Sequence, residues 1–147
     1  KAMRRTDYPA TASAVVDSLA LVWPSSQWDS FIARSPVLAM NALQRQRQRL
    51  QDAHTRIREL STEEVERRVA HALLRLVNQA GRKTEDGILI DFPVTRQDIA
   101  EMTGTTLHTV SRVMTSWEAQ GLVSSARKKV VVCNAHKLFM LAERSND

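Results

Sequence analysis

The spacing of hydrophobic residues changes near residue 35 and divides the chain into a strand-like part and a helical part. In residues 1–34 the apolar residues come in short runs, as in ATASAVVDSLALVWP, which ends at Pro24. Such runs are typical of β-strands, but the chain offers no partner strands to complete their sheet. We therefore predict that residues 1–34 are the end of an all-β domain. Because the first residue is Lys1 rather than methionine, we expect the sequence to begin partway into a longer protein.

A long helix is predicted from Pro36 to about residue 60, with Ser35 as its N-cap. Apolar residues recur every seven positions, and a companion series lies three residues before each of them. The helix would be about 37 Å long, and its one narrow stripe suits a single partner helix. We interpret residues 35–60 as a dimerisation helix with a seam of Met40, Leu43, Arg47, Leu50, His54 and Ile57. A surface helix packed on its own domain stays open as the alternative.

Another helix is predicted directly afterwards, because Ser61 and Glu64 have the spacing of a capping box. Gly81 is expected to end this helix, and the run GILIDFPV then predicts a short strand. Its buried face would consist of Val65, Val69, Ala72, Leu73, Leu76 and Val77. These elements begin a domain that we assign to residues 61–147.

Two more helices and a β-hairpin complete this domain. The first helix covers residues 95–102 with Thr95 and Asp98 as its cap pair, and the second covers residues 106 to about 120 and ends at Gly121. The run LVSSARKKVVVC predicts two short strands joined by a basic turn. The resulting order of helix, strand, helix, tight turn, helix and hairpin is that of a winged helix. The sequence thus predicts a mainly α fold with a small β component.

The two short helices are expected to cross near a right angle as a helix-turn-helix, because the residue types fit its steric demands. Ala100 is small where the helices approach each other, and Gly104 can adopt the positive φ of a sharp turn. Val110 points back into the joint, and Ile99 and Val113 complete its small core. This spacing favours DNA binding, although winged helices also serve as protein-contact modules.

The outward face of the second helix carries the candidate base-reading residues. Its predicted N-cap, Thr106, leaves the first backbone N–H groups at a helix end that suits phosphate. Arginine can hold guanine O6 and N7 in a bidentate pair, and serine and histidine can bond several base edges. We assign base reading to Leu107, His108, Ser111 and Arg112. We assign phosphate contacts to Thr95, Arg96, Thr105, Thr106, Arg127, Lys128 and Lys129.

Charge supports a nucleic-acid partner and hydropathy argues against a membrane protein. The net charge of +5 and the pI near 10.0 predict an acidic partner, with nucleic acid first and an anionic membrane surface second. The longest apolar runs are too short to cross a bilayer, and no signal sequence precedes them. We therefore expect a cytoplasmic location and no membrane partner.

Neither an enzyme nor a metal site is expected. The single Cys133 excludes an internal disulfide and cannot by itself form a thiolate metal site. No paired carboxylates lie in a plausible cleft, no glycine-rich phosphate loop occurs, and the histidines lack metal-ligand spacing. We predict no catalytic residues and no metal ligands, and the sequence assigns no cofactor.

The segment TRQDIAEMTGTTLHTVSRVMTSWEAQGLV, residues 95–123, resembles the DNA-binding helix-turn-helix of the Crp/Fnr superfamily of bacterial transcription regulators. A looser resemblance extends from about residue 8 to residue 141. It implies that residues 1–34 end a β-roll of the cyclic-nucleotide-binding type, whose missing N-terminal part would hold a small-molecule effector. It also implies a homodimer on a palindromic operator in double-stranded DNA, with RNA polymerase as a further partner.

The resemblance assigns roles within the recognition helix and shows one departure. Arg112 matches the guanine-reading arginine of the family, and Ser111 matches the serine that precedes it in Fnr-like members. His108 stands where a base-reading glutamate is usual, so the base pair that it reads is open. The motif TTLHTVSR is similar to members that respond to nitrogen oxides, some of them through haem. Nitric oxide is therefore one candidate effector.

Two further departures concern the effector. Cyclic-nucleotide-binding members carry an Arg-Ser pair where this chain has Tyr8-Pro9, and a Thr-Ser pair where it has Ala53-His54. Without the arginine, nothing would offset the charge of a buried phosphate. We therefore predict an effector other than cyclic AMP.

A protein–protein adaptor is the alternative function, in which the winged helix and the long helix serve assembly alone. An uncharged turn between the two predicted strands of the hairpin would favour that alternative. The basic residues Arg127, Lys128 and Lys129 count against it, because they suit phosphate.

Overall fold

The computed structural model describes residues 11–143, and the chain divides into two compact units, Lys1–Arg56 and Ile57–Asp147. In the first unit, a 3-10 turn at Ser25–Gln27 leads into helix α1 (Trp28–Arg34). Residues 11–24 contain no strand, so the strand segments predicted there are absent. A strand is held by bonds to a neighbouring strand, and the described residues of this unit supply none. The segment accordingly exposes Val15, Val16, Leu19, Leu21, Val22 and Trp23.

Helix α2 (Pro36–Thr62) is the long helix that the heptad pattern predicts, and it extends slightly beyond the expected end. The predicted capping box at Ser61 is wrong. Because α2 continues through this residue, the Ser61 hydroxyl donates back to the Ile57 carbonyl at 2.8 Å within the helix. Helix α3 (Val65–Ala80) begins after Glu64, which makes no side-chain cap bond.

Gly81 ends α3 as expected, but for a steric reason rather than through a left-handed backbone. Its φ is −81°, and a Cβ at this position would lie 2.3 Å from the Val77 carbonyl oxygen. The chain turns directly into strand β1 (Gly81–Thr84), which the sequence did not predict, and then into strand β2 (Gly87–Ile90). The predicted strand at GILIDFPV is thus one half of a hairpin.

The remaining elements confirm the winged-helix order. They are α4 (Arg96–Thr103), α5 (Leu107–Ala119), strands β3 (Val123–Ala126) and β4 (Lys129–Val132), and a terminal helix α6 (Ala135–Ala142). The strands form one antiparallel sheet in the order β1-β2-β4-β3. Helix α6, which the sequence did not predict, is capped by the Asn134 side chain. The fold is mainly α with a small β-sheet.

The core of the second unit lies between α3, the two helices of the helix-turn-helix, α6 and one face of the sheet. Trp117 is its largest side chain, and the indole Nε1 donates to the Glu66 carboxylate at 2.9 Å. Both helices of the helix-turn-helix therefore pack against this hydrophobic core. The other fully buried large apolar side chains are Val69, Leu73, Ile90, Ile99, Val110, Met114, Leu122, Val123, Val132 and Leu138.

Candidate nucleic-acid interface

Helix α4 begins with the cap pair that the sequence predicts. The Thr95 hydroxyl accepts from the Asp98 backbone N–H at 3.1 Å, and the Asp98 carboxylate accepts from the Thr95 backbone N–H at 2.7 Å. The hydrogen bonds from the Thr95 side chain and backbone lower the pKa of Asp98, and the positive charge of Lys128 contributes. The positive charge of Lys128, at the tip of the β3–β4 hairpin, therefore acts on the carboxylate at the start of α4.

The turn between α4 and α5 has the geometry that its residue types predict. Gly104 has a φ of +60°, in the left-handed region that glycine adopts without a Cβ clash. Ala100 is buried beneath the turn, and its carbonyl accepts from the Thr105 backbone N–H at 3.0 Å. Val110 points into the joint and is fully buried. These contacts hold α5 at a fixed position on α4.

Helix α5 presents a polar, solvent-facing surface at its N-terminal end. Thr106 caps the helix by accepting from the Thr109 backbone N–H at 3.2 Å. Leu107 is 47% exposed, and Ser111 is half-buried. The side chains of His108 and Arg112 are exposed. The four residues assigned to base reading therefore lie in the first two turns, away from the side that buries Val110, Met114 and Trp117.

The basic turn between β3 and β4 forms an exposed wing. Its residues are Arg127, Lys128 and Lys129, all solvent-facing. The Lys128 backbone has a φ of +58°, and its carbonyl accepts from the Val94 backbone N–H at 3.3 Å. This bond ties the wing to the loop that precedes α4.

Arg96, which the sequence predicts to contact phosphate, forms an ion pair and is partly exposed. Its guanidinium bonds both carboxylate oxygens of Glu118, at 3.0 and 3.2 Å, and the Ser125 hydroxyl at 3.1 Å. Ser125 in turn donates to Glu118. Arg96 thus joins the start of α4 to the end of α5 and to β3. Sequence reasoning missed Glu118, because an ion pair between residues 22 positions apart leaves no local pattern.

The predicted seam residues lie on α2 and are exposed. Leu43, Leu50 and Ile57 have exposed fractions of 57%, 58% and 61%. Met40, Arg47 and His54 are exposed as well. Of the two departures that concern the effector, Ala53-His54 lies on this helix, whereas Tyr8-Pro9 lies outside the described residues.

Within residues 11–143, no helix is both long and apolar enough to span a membrane, and no three potential metal-ligating side chains cluster. Cys133 is half-buried after β4. Burial raises the pKa of its thiol, and the negative charge of Asp86 acts in the same direction. The thiol is therefore held in its protonated, less nucleophilic form.

Comparison with known proteins gives consistent matches. The profile of the Crp-like helix-turn-helix domain matches residues 67–141, about half of the chain. A cyclic AMP receptor protein from Thermus thermophilus is 33% identical over 133 residues, which cover 90% of this chain and 58% of the relative. A global nitrogen regulator from Synechocystis is 30% identical over 127 residues, which cover 86% of this chain and 56% of the relative.

A solved structure extends the match to the fold. A transcriptional regulator of the CRP/FNR family from Thermus thermophilus superposes with a TM-score of 0.67 and 27% identity. The superposition covers 75% of this chain and 56% of that one. The chain therefore spans little more than half the length of the relatives it matches. The resemblance of the recognition helix to members that respond to nitrogen oxides stays a prediction.

Proposed function

This chain belongs to the Crp/Fnr superfamily of transcription regulators, and we propose that it binds a palindromic DNA operator as a homodimer. The polar N-terminal surface of α5 carries the proposal. It exposes His108 and Arg112 on a helix whose opposite side is fixed to a closed core. A recognition helix that enters the major groove contacts base edges with residues at this end.

Base reading would be divided among the side chains of this surface. Arg112 is exposed and can form a bidentate pair with guanine. His108 and Ser111 would read neighbouring base edges, while Leu107 would contact a thymine methyl group. The wing residues and the capped starts of α4 and α5 would contact phosphate. Arg96 would contact phosphate from the start of α4, with its guanidinium positioned by Glu118.

The homodimer would form through the exposed stripe on α2. Leu43, Leu50 and Ile57 repeat every seven residues and are more than half exposed in the single chain. A second copy of the stripe would bury them in the manner of a coiled coil. Arg47 and His54 would interrupt the apolar layers and fix the register of the two helices. Two copies would then present two recognition helices to half-sites about one helical turn apart.

The effector would act on the part of the protein that precedes α2, and we propose that it is not cyclic AMP. Ala53 and His54 stand in place of the hydroxyl pair that the family uses for this nucleotide. Nitric oxide is one candidate, and RNA polymerase would be the partner of the DNA-bound dimer. An effector can switch DNA binding only if it binds one arrangement of the dimer more tightly than the other.

Selection of bound sites from random duplexes by the purified protein, at physiological salt, tests the proposal directly. We expect recovery of an inverted repeat with a guanine in each half-site. Recovery of no motif, with and without nitric oxide, would instead support a protein–protein adaptor. Non-specific affinity alone cannot decide, because a basic protein binds any DNA weakly.

The variant Arg112→Ala tests base reading on the selected site. We expect it to cost about 1 to 3 kcal/mol there and to relax the preference at one base pair. Ser116→Ala, exposed on the same helix, is the matched control and should leave both unchanged. An equal loss of affinity on random DNA would contradict a base-reading role for Arg112.

A further inference from the structure

A set of contacts joins the last turns of α2 to the turn of the helix-turn-helix. We call this set the clamp, and it consists of Glu59, Leu60, Arg68 and Arg75 acting on residues 103–104. All of these residues lie within the second compact unit. None belongs to the surface proposed to contact DNA.

Arg68 is the centre of the clamp because it bonds two helix ends at once. It projects from α3, and its Nε donates to the Thr103 carbonyl at 3.0 Å, at the last residue of α4. Its Nη1 donates to the Glu63 carbonyl at 2.6 Å, directly after α2. Carbonyls at helix C-terminal ends lack partners within the helix, and a guanidinium satisfies two of them here. The end of α2 is thereby tied to the start of the turn.

Glu59 and Leu60 hold the same end of α2 from two other sides. The Glu59 side chain is 6% exposed, and both of its carboxylate oxygens accept from Arg75 Nη1 at 2.8 Å. A Cβ added at Gly104 would lie 2.9 Å from Leu60 Cδ2, so Leu60 covers the turn directly. A change in the direction of the last turns of α2 would therefore displace the turn as well.

Stability alone does not account for this arrangement. In the described part of the chain, Arg75 Nε is buried without a hydrogen-bond partner, whereas Glu63 Oε2, which also accepts no hydrogen bond, lies 3.5 Å from His71 Nε2. Unpaired buried polar atoms destabilise a fold, and an ion pair in such a site is often no better than well-packed apolar side chains. The clamp instead fixes the relative orientation of α2, α3 and α4, because each of its hydrogen bonds holds one helix end against another helix.

We propose that the clamp determines how strictly the dimer discriminates the spacing between operator half-sites. This inference rests on the proposed function, since it requires a homodimer on an inverted repeat. Each added base pair moves one half-site by about 3.4 Å and turns it by about 34° around the axis. With the clamp in place, the last turns of α2 keep a fixed direction relative to the helix-turn-helix, so the recognition helix cannot follow a displaced half-site. Without the clamp it can. The four clamp residues are therefore positioning residues for sequence recognition.

The test compares operators whose half-sites are moved apart or together by one and two base pairs, together with a duplex that carries one half-site. For the wild-type protein, a displaced spacing prevents simultaneous engagement and should lower affinity about 100-fold. For Arg68→Met, and for the double variant Glu59→Gln with Arg75→Gln, we expect this penalty to fall to about tenfold or less. Affinity for the single half-site should stay within about twofold of wild type.

Two controls separate a loss of position from a loss of structure. Arg68→Lys keeps the charge but replaces the two nitrogens of a planar, rigid fork with a single flexible ammonium, so its spacing penalty should lie between those of wild type and Arg68→Met. The double variant Arg82→Gln with Asp91→Asn removes an exposed ion pair on the β1–β2 hairpin and should behave as wild type. Circular dichroism should show native helix content for each variant.

The outcomes distinguish this inference from the proposed function. If the wild-type protein selects no inverted repeat, the proposed function fails and the inference fails with it. If the wild-type protein shows the spacing penalty and both clamp variants retain it, only the inference is overturned. A parallel loss of affinity on the single half-site would also overturn it, because that result indicates a damaged recognition helix.

Discussion

Helices α2 and α3 follow each other along the chain and both carry a regular apolar stripe, but only α3 buries its stripe. In α3 the side chains of Val69 and Leu73 are fully buried against the rest of the second unit. In α2 the corresponding positions, Leu43 and Leu50, are more than half exposed, and the only residue buried in the helix is Glu59. The periodicity of a helix therefore does not reveal whether its stripe faces a core or a partner.

The difference arises from what the chain places opposite each stripe. Opposite α3 lie α4, α6 and strand β2, each with an apolar face of its own. The stripe of α2 has no such counterpart among the described residues. Burial of one leucine side chain is worth roughly 1.5 to 3 kcal/mol, so the proposed dimer would gain several kcal/mol by covering this stripe.

Breaking the closed core should have the largest effect. We expect Trp117→Ala to lower the free energy of unfolding by about 3 to 5 kcal/mol, because it opens a cavity and leaves the Glu66 carboxylate without its indole donor. Urea unfolding followed by circular dichroism measures the change. Trp23→Ala, at an exposed position in the first unit, is the control and should stay within about 0.5 kcal/mol. Equal losses in the two variants would show that the core is not closed.

A charge introduced into the exposed apolar stripe of α2 should leave the fold intact and weaken the proposed dimer. We expect Leu50→Lys to weaken dimerisation by about 2 to 3 kcal/mol, since it replaces an apolar layer of the proposed seam with two facing charges. Sedimentation equilibrium gives the dissociation constant, and affinity for the palindromic operator should fall with it. Gln48→Lys adds the same charge at an exposed position outside the seam and should change the dimer little. If the Leu50→Lys protein remains dimeric, α2 is a surface helix of its own domain rather than the dimer interface.

The sequence predicted the elements whose signals are local. The cap pair Thr95 and Asp98, the left-handed Gly104 and the N-cap Thr106 all lie where their residue types placed them. Each of these positions depends on interactions within a few residues. The winged-helix fold followed from them because their order along the chain leaves few alternatives.

Most of the failures depend instead on contacts between residues far apart in sequence. Ser61 looked like a cap but lies inside α2, because the contacts of Glu59 and Leu60 with distant residues extend the helix. Strand β1 was not predicted because the sequence between Gly81 and Thr84 is polar. Helix α6 was missed although its cap, Asn134, is a local signal. The ion pair of Arg96 with Glu118 and the clamp depend on residues far apart in sequence. Such contacts become visible only in the folded chain.

Helices α3 and α4 also differ in how their N-terminal ends are capped. Helix α3 begins without a side-chain cap, whereas α4 has a complete capping box. We expect Asp98→Ala to cost about 1 kcal/mol at neutral pH, because the backbone N–H and the hydroxyl of Thr95 lose the carboxylate that accepts from them. Gln97→Ala, one residue earlier on α4, is the control, and the measurement is the free energy of unfolding in urea.

The same variant makes a prediction about pH. Because the pKa of Asp98 is lowered in the folded protein, its stabilisation is present above the ordinary value of 3.8 and is lost as the pH falls through the lower folded value. The difference between wild type and Asp98→Ala should therefore be constant near neutral pH and shrink below roughly pH 4. A constant Asp98→Ala difference down to about pH 2 would show that the cap does not depend on the charge.

The smallest effect on stability is expected at the wing, which makes its functional effect the easiest to isolate. Lys128 has a left-handed backbone, which glycine adopts without strain, and glycine gives up part of that gain through the entropy of the unfolded chain. We therefore expect Lys128→Gly to change the free energy of unfolding by less than about 0.5 kcal/mol. If Lys128 contacts phosphate, the slope of log affinity against log salt should fall by about one unit on every DNA sequence. Lys83→Gly removes an exposed lysine from β1 and should leave the slope unchanged. An unchanged slope for Lys128→Gly would mean that the wing, despite its charge, does not contact the DNA backbone.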